Sequence, residues 1–384
     1  MTGDVDFPEL REAVRRLTDD VLIPAEQQMV ADGQVSEQSL AALRDLGLFG
    51  MTLPHEHGGL GLGMEEQVRL TFEFTRASAV YRSHLSTTFG LVSRVLVDFG
   101  TPEQQQTWLP RFATGEATAA FALTEEAAGS DATALTTVAR RTADGYRISG
   151  SKRYITNGHT ASVLMVFAVV PEHGITAFLV PRPAAGLSAR LPSRMNGHAE
   201  NPVAYVELDD VWAPDAAVVG GPGEGMRLAL TGINHARTHV AATAVGQGTR
   251  LLQEATRHAA TREQFGAPLA ELGTVQATLG RSLAELAAAR ELTLACARAW
   301  DRGAPDRHQI SAAKLYATEM VGQLADRAVQ VLGGAGIVGD SPVPRMWRDV
   351  RALRIYEGAS EIHERNLARH LVALDRHGLP LWTG

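Results

Sequence analysis

The chain has 384 residues, of which 45% are apolar and 21% are charged, and its formal net charge is −7. A chain of this length exceeds one core of ordinary size, so two or three packed units are expected. The mild acidity is spread along the chain and not collected into a tail, so the charge does not indicate a nucleic-acid-binding protein.

The first ~115 residues predict a helical region, because apolar side chains recur at helical spacing. This spacing appears in Leu10–Val21 and again in Leu40–Leu46. Further helices are expected across Met64–Phe99 and Pro102–Ala113. The Gly-rich segment Thr52–Gly63 breaks the pattern and is expected to be a link between helices.

From Thr118 onward the sequence predicts a small β domain. A hairpin turn at Ala143–Gly145 is expected to join the strands Thr137–Arg141 and Tyr146–Ser149. Turn clusters such as Pro181–Gly186 separate further short runs rich in β-forming residues. These runs are Val163–Val170, Ile175–Val180 and Val203–Leu208.

Helices are predicted again from Gly225 to the end of the chain. The segment Gln309–Leu332 collects apolar residues on one helical face. They are Ile310, Ala313, Ala317, Met320, Leu324, Ala328 and Val331. The segment Gln276–Trp300 is apolar on more than one face, which indicates burial by its own bundle or by another subunit. The predicted domains are therefore helical over 1–117, β over 118–224 and helical over 225–384.

The cysteine content and the apolar runs limit the possible protein classes. A single cysteine, Cys296, excludes an intrachain disulfide, and its Ala-rich surroundings favour a buried, inert thiol. The first 12 residues are polar and acidic and do not resemble a signal peptide. The most apolar run, Ser162–Val170, is too short to span a bilayer. We expect a cytoplasmic protein with no membrane partner.

Two familiar motifs have the wrong context for the function that they usually carry. Gly334–Gly339 matches the dinucleotide pattern G-x-G-x-x-G, but it follows a helical pattern and leads into the turn-forming Asp340–Pro342. A helix end closed by glycines is the preferred interpretation. His55 and His57 are possible metal ligands, yet they lie in a Gly-rich loop, for which a solvated surface is the preferred interpretation.

Three segments carry residues suited to chemistry, although each one alone also fits an ordinary structural role. Ser130 lies in a Gly-Ser-Asp turn after a predicted strand. Tyr154 and Thr156 share one face of a strand and are suited to hold a flat heteroaromatic ring. Glu357 precedes Gly358 in a tight connection beside a helix start, where a carboxylate is well placed to react. By contrast, the adjacent Glu125 and Glu126 point to opposite faces in an extended chain and form a poor acid–base pair.

Together these segments resemble the acyl-CoA dehydrogenase family from about Phe7 to His370. The resemblance depends on an ordered set of motifs: Leu123–Asp131, Gly150–Gly158, Arg262–Gly266, Gln330–Gly334 and Tyr356–Gly358. It implies a mainly α fold with a central β domain, that is, an N-terminal helical domain, a middle β-barrel-like domain and a C-terminal four-helix bundle. It also implies a homotetramer or homodimer and a role in fatty acid metabolism.

The resemblance further implies an FAD cofactor between the β domain and the C-terminal bundle. The residues that it assigns to FAD are Phe121, Leu123, Thr124, Ser130, Tyr154, Thr156, Arg262, Phe265, Gln330, Gly333, Gly334, Ala359 and Glu361. Of these, Arg262, Phe265, Gln330 and Gly334 match residues that reach the FAD of a neighbouring subunit. Ala359 replaces a Thr or Ser that contacts FAD, and Glu361 stands where Gln is common.

The implied reaction is the α,β-dehydrogenation of an acyl thioester, carried by coenzyme A or by an acyl carrier protein, to the trans-2-enoyl thioester. Glu357 is the implied base for the α-proton, and a hydride leaves the β-carbon for flavin N5. The implied substrate-binding residues are Ser130, Asn234, Arg237, Tyr356 and Gly358. The family has a second place for the base, which here is Ala236, and alanine cannot accept a proton.

Alternative functions on the same scaffold are an acyl-CoA oxidase, a flavin monooxygenase and a non-catalytic nucleic-acid-binding relative. The sequence does not separate an oxidase from a dehydrogenase that passes electrons to an electron-transferring flavoprotein. Relatives that act as monooxygenases usually lack the base, so Glu357 disfavours that function. The net charge of −7 disfavours nucleic-acid binding.

Overall fold

The computed structural model describes residues 5–303, 307–339 and 341–381. Residues 1–4 and 382–384 of the predicted outer domains, and Asp340 of the predicted turn, lie outside the described residues. The chain divides into two compact units. The first contains residues 1–13, 24–63 and 80–236, and the second contains residues 14–23, 64–79 and 237–384.

The helices lie on both sides of the central strands in the sequence, as predicted. The α-helices are α1 (Phe7–Leu17), α2 (Glu26–Asp32), α3 (Glu37–Asp45), α4 (Met64–Phe74), α5 (Ala79–Ser86), α6 (Ser93–Phe99), α7 (Pro102–Ala113), α8 (Gly225–Thr261), α9 (Gly273–Asp301), α10 (Arg307–Leu332), α11 (Pro342–Arg351) and α12 (Ser360–Arg376). Single π-helical turns at Thr18–Leu22 and Thr87–Val92 extend α1 and α5. Of the described helices, none combines the length and the apolar content that a membrane crossing needs.

The strands form one large sheet and one short hairpin. They are β1 (Ala119–Ala122), β2 (Val138–Arg141), β3 (Gly145–Thr156), β4 (Val163–Val170), β5 (Gly174–Pro181), β6 (Leu187–Arg190), β7 (Val203–Pro214), β8 (Val218–Val219), β9 (Glu263–Gln264) and β10 (Ala267–Pro268). The sheet order is β6-β7-β3-β2-β4-β5-β8, and β1 pairs with β4 in parallel. The predicted hairpin is confirmed, with Arg141 opposite Tyr146. Strand β3 joins the predicted strand Tyr146–Ser149 to the predicted strand that holds Tyr154 and Thr156, and β7 is longer than its predicted strand.

In the first unit, both faces of β4 are buried, each in its own apolar cluster. Val163, Met165 and Phe167 pack in the cluster that also contains Leu109 and Phe112 of α7. The alternate residues Leu164, Val166 and Ala168 pack with β5, β3 and β7 on the other face. The period-2 alternation of a strand therefore explains why this run is apolar throughout.

Helix α7 is fixed by its first turn. Thr101 and Gln104 form a capping box, and Pro102 occupies the first helical position. The Gln104 side chain also donates two hydrogen bonds of 2.9 Å, to the carbonyls of Ala216 and Val218. The same residue thus caps the helix and ties it to the strand β8.

In the second unit, α8, α9 and α10 pack around one apolar cluster. The predicted buried face of α10 is confirmed from Ile310 to Ala328, while Val331 is only partly buried at its edge. Cys296 is buried, as predicted, with its sulfur 3.8 Å from the Thr238 hydroxyl. The cluster extends to Val350 and Leu353, which lie just before Glu357 in the sequence.

The glycine-rich motif after α10 is a helix end, as predicted. Helix α10 stops at Leu332, and Gly333 follows in a left-handed conformation with φ 57°. The next residues, Gly333–Gly336, form a 3₁₀ turn. Because the motif follows a helix and not a strand, it does not form a Rossmann phosphate loop.

Two helical glycines provide a matched test of packing in the second unit. A Cβ at Gly246 of α8 would lie 2.9 Å from the Phe72 carbonyl oxygen of α4, whereas a Cβ at Gly280 of α9 would meet nothing within 4 Å. We expect Gly246→Ala to lower the free energy of unfolding by about 1–3 kcal/mol through overpacking. Gly280→Ala is expected to leave it unchanged or to raise it by up to about 1 kcal/mol. Chemical denaturation measures both, and equal effects would contradict this account of the α8–α4 contact.

Candidate active site

Glu357 lies in a strained turn between two helices. Helix α11 ends at Arg351, a 3₁₀ turn covers Ala352–Arg354, and α12 begins at Ser360. Between them, Glu357 has φ 56° and Gly358 has φ 98°. A left-handed conformation is ordinary for glycine but unfavourable for glutamate, so contacts outside the turn must stabilise it.

Two buried cations provide these contacts. The Arg237 Nε of α8 donates a hydrogen bond of 2.8 Å to the Glu357 carbonyl oxygen. The Lys314 Nζ of α10 donates one of 2.7 Å to the Gly358 carbonyl oxygen. Arg237 is 9% exposed and Lys314 is fully buried. Hydrogen bonds from charged donors are stronger than neutral ones, and burial strengthens them further.

Burial acts strongly on both cations. It lowers the pKa of Arg237, an effect that the negative charge of Glu357 opposes and that Arg307 reinforces. Burial, followed by repulsion from Arg237, lowers the pKa of Lys314 to about 8, while Glu357, Glu319 and Glu361 oppose that shift. The Glu357 carboxylate therefore interacts with two positive charges that are poorly screened by water.

The turn is also closely packed around Gly358. A Cβ at Gly358 would lie 3.1 Å from Arg237 Nη2 and 3.2 Å from His363 Nε2. Ser360 opens α12 and donates a 2.6 Å hydrogen bond to Glu319. The preceding residue, Ala359, is the N-cap of α12 and provides no side-chain cap. The first turn of α12 is therefore held by the neighbouring helix α10 and not by its own cap.

In the first unit, the segment after β1 is held by a buried ion pair. Lys152 of β3 donates hydrogen bonds of 2.8 Å to Glu125 and 3.1 Å to the Leu123 carbonyl. The other Glu125 contacts come from Thr136 and Thr137, each of which donates its backbone N–H and its hydroxyl. Both carboxylate oxygens are thus fully used as acceptors, so Glu125 is a structural residue.

The two members of this pair respond differently to burial. Burial by itself would raise the pKa of Glu125, but hydrogen bonds from Lys152, Thr137 and Thr136, with the lysine charge, lower it to about 2. For Lys152, burial outweighs the attraction of Glu125 and lowers the pKa to about 8. Thr136 and Thr137 explain the difference, because their four donor groups stabilise the charged form of Glu125 and not that of Lys152.

The segment 123–125, here called the clamped segment, carries two of the predicted FAD residues, Leu123 and Thr124, and a third, Phe121, lies just before it in β1. Leu123 is buried, and Phe121 is half-buried with its ring centroid 4.8 Å from that of Phe167. The Thr124 carbonyl accepts a 2.9 Å hydrogen bond from the Arg153 backbone N–H, which ties it to β3. Further along the chain, Ser130 is exposed.

The predicted aromatic residue on β3 lies at a bulge. The register between β3 and β7 shifts between Lys152 and Ile155, and Tyr154 has φ 60°. Its side chain is 60% exposed and meets Tyr205 edge-on, with ring centroids 5.9 Å apart. Thr156 is half-buried and Ile155 is buried, so Tyr154 and Thr156 lie on the more open face.

The other predicted site residues fall into two groups. Tyr356, Gly358 and Ala359 belong to the Glu357 turn, and Asn234 is half-buried on α8. The second group is solvent-facing and consists of Arg262 and Phe265 beside the β9–β10 turn, Gln330 at the end of α10, Gly333 and Gly334 after it, and Glu361 on α12. Phe265 is 94% exposed, which is unusual for a large apolar side chain.

Lys152, Lys314 and His363 were missed by the sequence predictions. The single charge of Lys314 on the apolar face of α10 was an available signal, because a charge at such a position is rarely buried without a partner. Lys152 was next to a predicted site strand but carried no pattern of its own. His363 comes six residues after Glu357, and only the tertiary structure shows that its ring reaches back to the turn.

Comparisons with known proteins agree across the chain. The family descriptions "Acyl-CoA dehydrogenase" N-terminal, middle and C-terminal domain match residues 6–116, 120–211 and 223–372. The short-chain specific acyl-CoA dehydrogenase of Mus musculus is 33% identical over 96% of this chain and 91% of its own length. The butyryl-CoA dehydrogenase of Megasphaera elsdenii has a TM-score of 0.92 and 27% identity, covering 97% of this chain and 100% of that one. A glutaryl-CoA dehydrogenase of Mycobacterium smegmatis in complex with FADH2 has a TM-score of 0.91 and 27% identity, covering 97% and 95%.

The buried pair in the first unit gives a stability prediction. Lys152→Met removes the cation and leaves Glu125 charged in a buried position, so we expect the free energy of unfolding to fall by about 3–5 kcal/mol. The double variant Lys152→Met/Glu125→Gln should recover part of the loss. As a control, Arg94→Met breaks the more exposed pair with Asp98 and is expected to cost less than about 1 kcal/mol. Urea denaturation distinguishes these outcomes, and equal losses would contradict the assignment.

The same pair predicts how stability depends on acid. The folded pKa of Glu125 is about 2, below its ordinary value of 4.5, so its stabilising contribution is present above about pH 4.5 and is lost as the pH falls towards 2. In Glu125→Gln this part of the acid dependence should disappear. The measurement is the difference in unfolding free energy between wild type and variant over this range, and a constant difference would contradict the prediction.

Proposed function

The chain belongs to the acyl-CoA dehydrogenase family of FAD-dependent oxidoreductases, and from this premise we propose that Glu357 is the base of its acyl-thioester dehydrogenation. The observation that carries the proposal is the Glu357 turn itself. A carboxylate on a left-handed turn, held through its backbone by Arg237 and Lys314, is a positioned group of the kind that proton abstraction requires.

The proposed proton transfer uses residues of the second unit. Glu357 takes the α-proton of the thioester, and the negative charge moves towards the thioester oxygen. The Glu357 backbone N–H is the proposed donor to that oxygen. Arg237 and Lys314 hold the carbonyl groups of the two peptide units that follow this N–H, so the turn is restrained before the reaction begins and needs little reorganisation during it.

Glu357 is proposed as the sole base. The alternative position on α8, Ala236, is 2% exposed and has an apolar side chain. Its Cβ would be 3.8 Å from a Cβ placed on Gly90, so it lies in a packed region. The family uses two positions for the base. Here one of them is alanine, which cannot accept a proton, and the other is Glu357.

The residues present fit an FAD cofactor. Tyr154 provides an exposed aromatic face on β3, with Thr156 on the same side, and Thr124 of the clamped segment 123–125 is half-buried. Exposed Arg262 is suited to bind a pyrophosphate through its guanidinium group. The other proposed FAD residues are Phe121, Leu123, Ser130, Phe265, Gln330, Gly333, Gly334, Ala359 and Glu361. When bound, FAD supplies the acceptor for the hydride that leaves the β-carbon.

Proposed substrate contacts come from both units. Tyr356 and Gly358 flank Glu357, and Arg237 contacts it through the backbone. Asn234 lies one helical turn before Arg237 on α8, and Ser130 follows the clamped segment of the first unit. We propose coenzyme A as the carrier, with an acyl carrier protein as the alternative, and a cytoplasmic location.

We also propose a homotetramer or homodimer. Phe265 is 94% exposed and Ile337 is 75% exposed, and both follow helices of the second unit. Large apolar side chains at such exposure are typical of surfaces that associate. The proposed electron acceptor is an electron-transferring flavoprotein. Size-exclusion chromatography with light scattering tests the assembly, and a monomer would contradict it.

The test of the activity is anaerobic flavin bleaching, at about 450 nm for an oxidised flavin, with a panel of coenzyme A and acyl carrier protein thioesters. Bleaching by at least one thioester supports the proposal, and none across chain lengths and branching would contradict it. Reoxidation by an electron-transferring flavoprotein but not by air identifies a dehydrogenase. Rapid reoxidation by air identifies an oxidase.

The base assignment gives a sharper prediction. Glu357→Gln keeps the size of the side chain but removes the proton acceptor, so α-proton exchange of a bound thioester in deuterated water should fall at least ~10³-fold. FAD content and unfolding temperature should stay unchanged. Glu364→Gln, at an exposed position on α12, is the matched control and should exchange at the wild-type rate. Wild-type exchange in Glu357→Gln would refute the assignment.

A further inference from the structure

His363 is a buried histidine beside the catalytic turn that the reaction described above does not use. It lies in the first turn of α12 and is fully buried. Its Nε2 is 3.2 Å from the point where a Cβ on Gly358 would be placed, and Arg237 Nη2 is 3.1 Å from the same point. The ring therefore occupies the space beside the glycine that follows Glu357.

The ring is neutral at ordinary pH. Burial, followed by repulsion from Arg237 and Lys314, lowers the pKa of His363 to about 3, although the backbone of Glu357 and Gly358 acts in the opposite direction. The charges that act on the ring are thus the two cations, and the carboxylates of Glu357, Glu319 and Glu361 act in turn on Lys314. A protonated histidine here would add a third buried positive charge.

Within the described residues, neither ring nitrogen of His363 makes a hydrogen bond of normal geometry, and its polar contacts with the backbone of Glu357 and Gly358 are only weak ones. A buried polar group in this state costs free energy, and a purely structural position would be filled more cheaply by an apolar side chain. At His363 this cost falls directly beside the strained Glu357–Gly358 backbone. Unsatisfied groups and backbone strain occur together at functional sites.

We infer that His363 is a positioning residue for the base. Its neutral ring occupies the space next to Gly358, close to the Arg237 guanidinium, and supports the Gly358 backbone, so that the Glu357 carboxylate keeps one orientation. Imidazole suits this position because it has the volume of a ring, a polarisable face for neighbouring cations and no net charge. The inference rests on the proposed role of Glu357 as the base.

The first test reads the order of the turn without any catalysis. Hydrogen–deuterium exchange of the segment 352–362 is measured in the FAD-bound protein for wild type, His363→Ala and His363→Gln. The matched control is His239→Ala, because His239 is equally buried but bonds to Gln67 and Thr71 of α4. We expect exchange to rise ~10-fold or more in His363→Ala, to stay near wild type in His363→Gln, and to stay unchanged in His239→Ala.

The second test separates binding from chemistry. The rate constant of flavin reduction by a saturating thioester and the dissociation constant of that thioester are measured at equal FAD occupancy. In His363→Ala we expect the rate constant to fall ~30-fold or more, with the dissociation constant within about threefold, because misplacement of the base affects chemistry more than binding. His363→Gln, which restores a neutral polar side chain, should recover most of the rate.

The outcomes decide between the inference and the function on which it rests. Equal turn exchange and equal reduction rates in His363→Ala and His239→Ala would overturn the positioning role, even if Glu357→Gln is inactive. An α-proton exchange rate in Glu357→Gln equal to that of wild type would overturn the proposed function. The hydrogen–deuterium exchange of the segment 352–362 would then decide the inference about His363 by itself. If His363→Ala does not fold, His363→Leu keeps the volume, and wild-type values in both assays for that variant would also overturn the inference.

Discussion

The site depends on two buried cations that hold the backbone of one turn. Arg237 and Lys314 donate to the carbonyls of Glu357 and Gly358, which are consecutive residues in left-handed conformations. A glutamate does not adopt this backbone by preference. The energy for it comes from charge-assisted hydrogen bonds made where water is excluded, and the same two charges set the electrostatic surroundings of the carboxylate. Arg237 and Lys314 therefore determine both the backbone geometry of the turn and the electrostatic environment of the Glu357 carboxylate.

A similar arrangement stabilises the segment after β1. Lys152 reaches from β3 to Glu125 and to the Leu123 carbonyl, and two threonines complete the shell of the carboxylate. In both places a loop that carries proposed site residues is attached to a long helix or strand by a buried lysine. Such attachment gives a loop the precision of a regular element, which catalytic geometry requires. It also makes each lysine costly to lose, since Lys152 would leave a buried charged carboxylate and Lys314 would leave a buried carbonyl oxygen without its donor.

The agreement in backbone structure is much closer than the agreement in sequence. A TM-score of 0.92 with the butyryl-CoA dehydrogenase of Megasphaera elsdenii accompanies only 27% identity. Two chains with different core residues can share a fold, because a core tolerates many apolar substitutions as long as its total volume and the apolar periodicity are kept. Specificity within the family depends on side chains that differ from one relative to another.

The sequence predicted most of the secondary structure because its apolar periodicity is strong. The face of α10 from Ile310 to Ala328, the hairpin at Ala143–Gly145 and the glycine-closed end of α10 were all visible in it. Boundaries were less accurate: β7 extends to Pro214, beyond its predicted end at Leu208, and two predicted strands merge into β3, because polar residues in a paired strand leave no apolar signal. The site residues Tyr154, Thr156 and Glu357 came from motifs and from a resemblance, and their roles remain proposals.

By itself, then, the sequence determined the order of helices and strands, the buried face of each main element and the turn that contains Glu357, because these depend on neighbours a few residues apart. The tertiary structure alone decided which distant side chains support that turn. Arg237 is 120 residues from Glu357, and Lys314 is 44 residues from Gly358. No periodic pattern links such positions, since a hydrogen bond between them depends on how whole helices pack and not on local spacing.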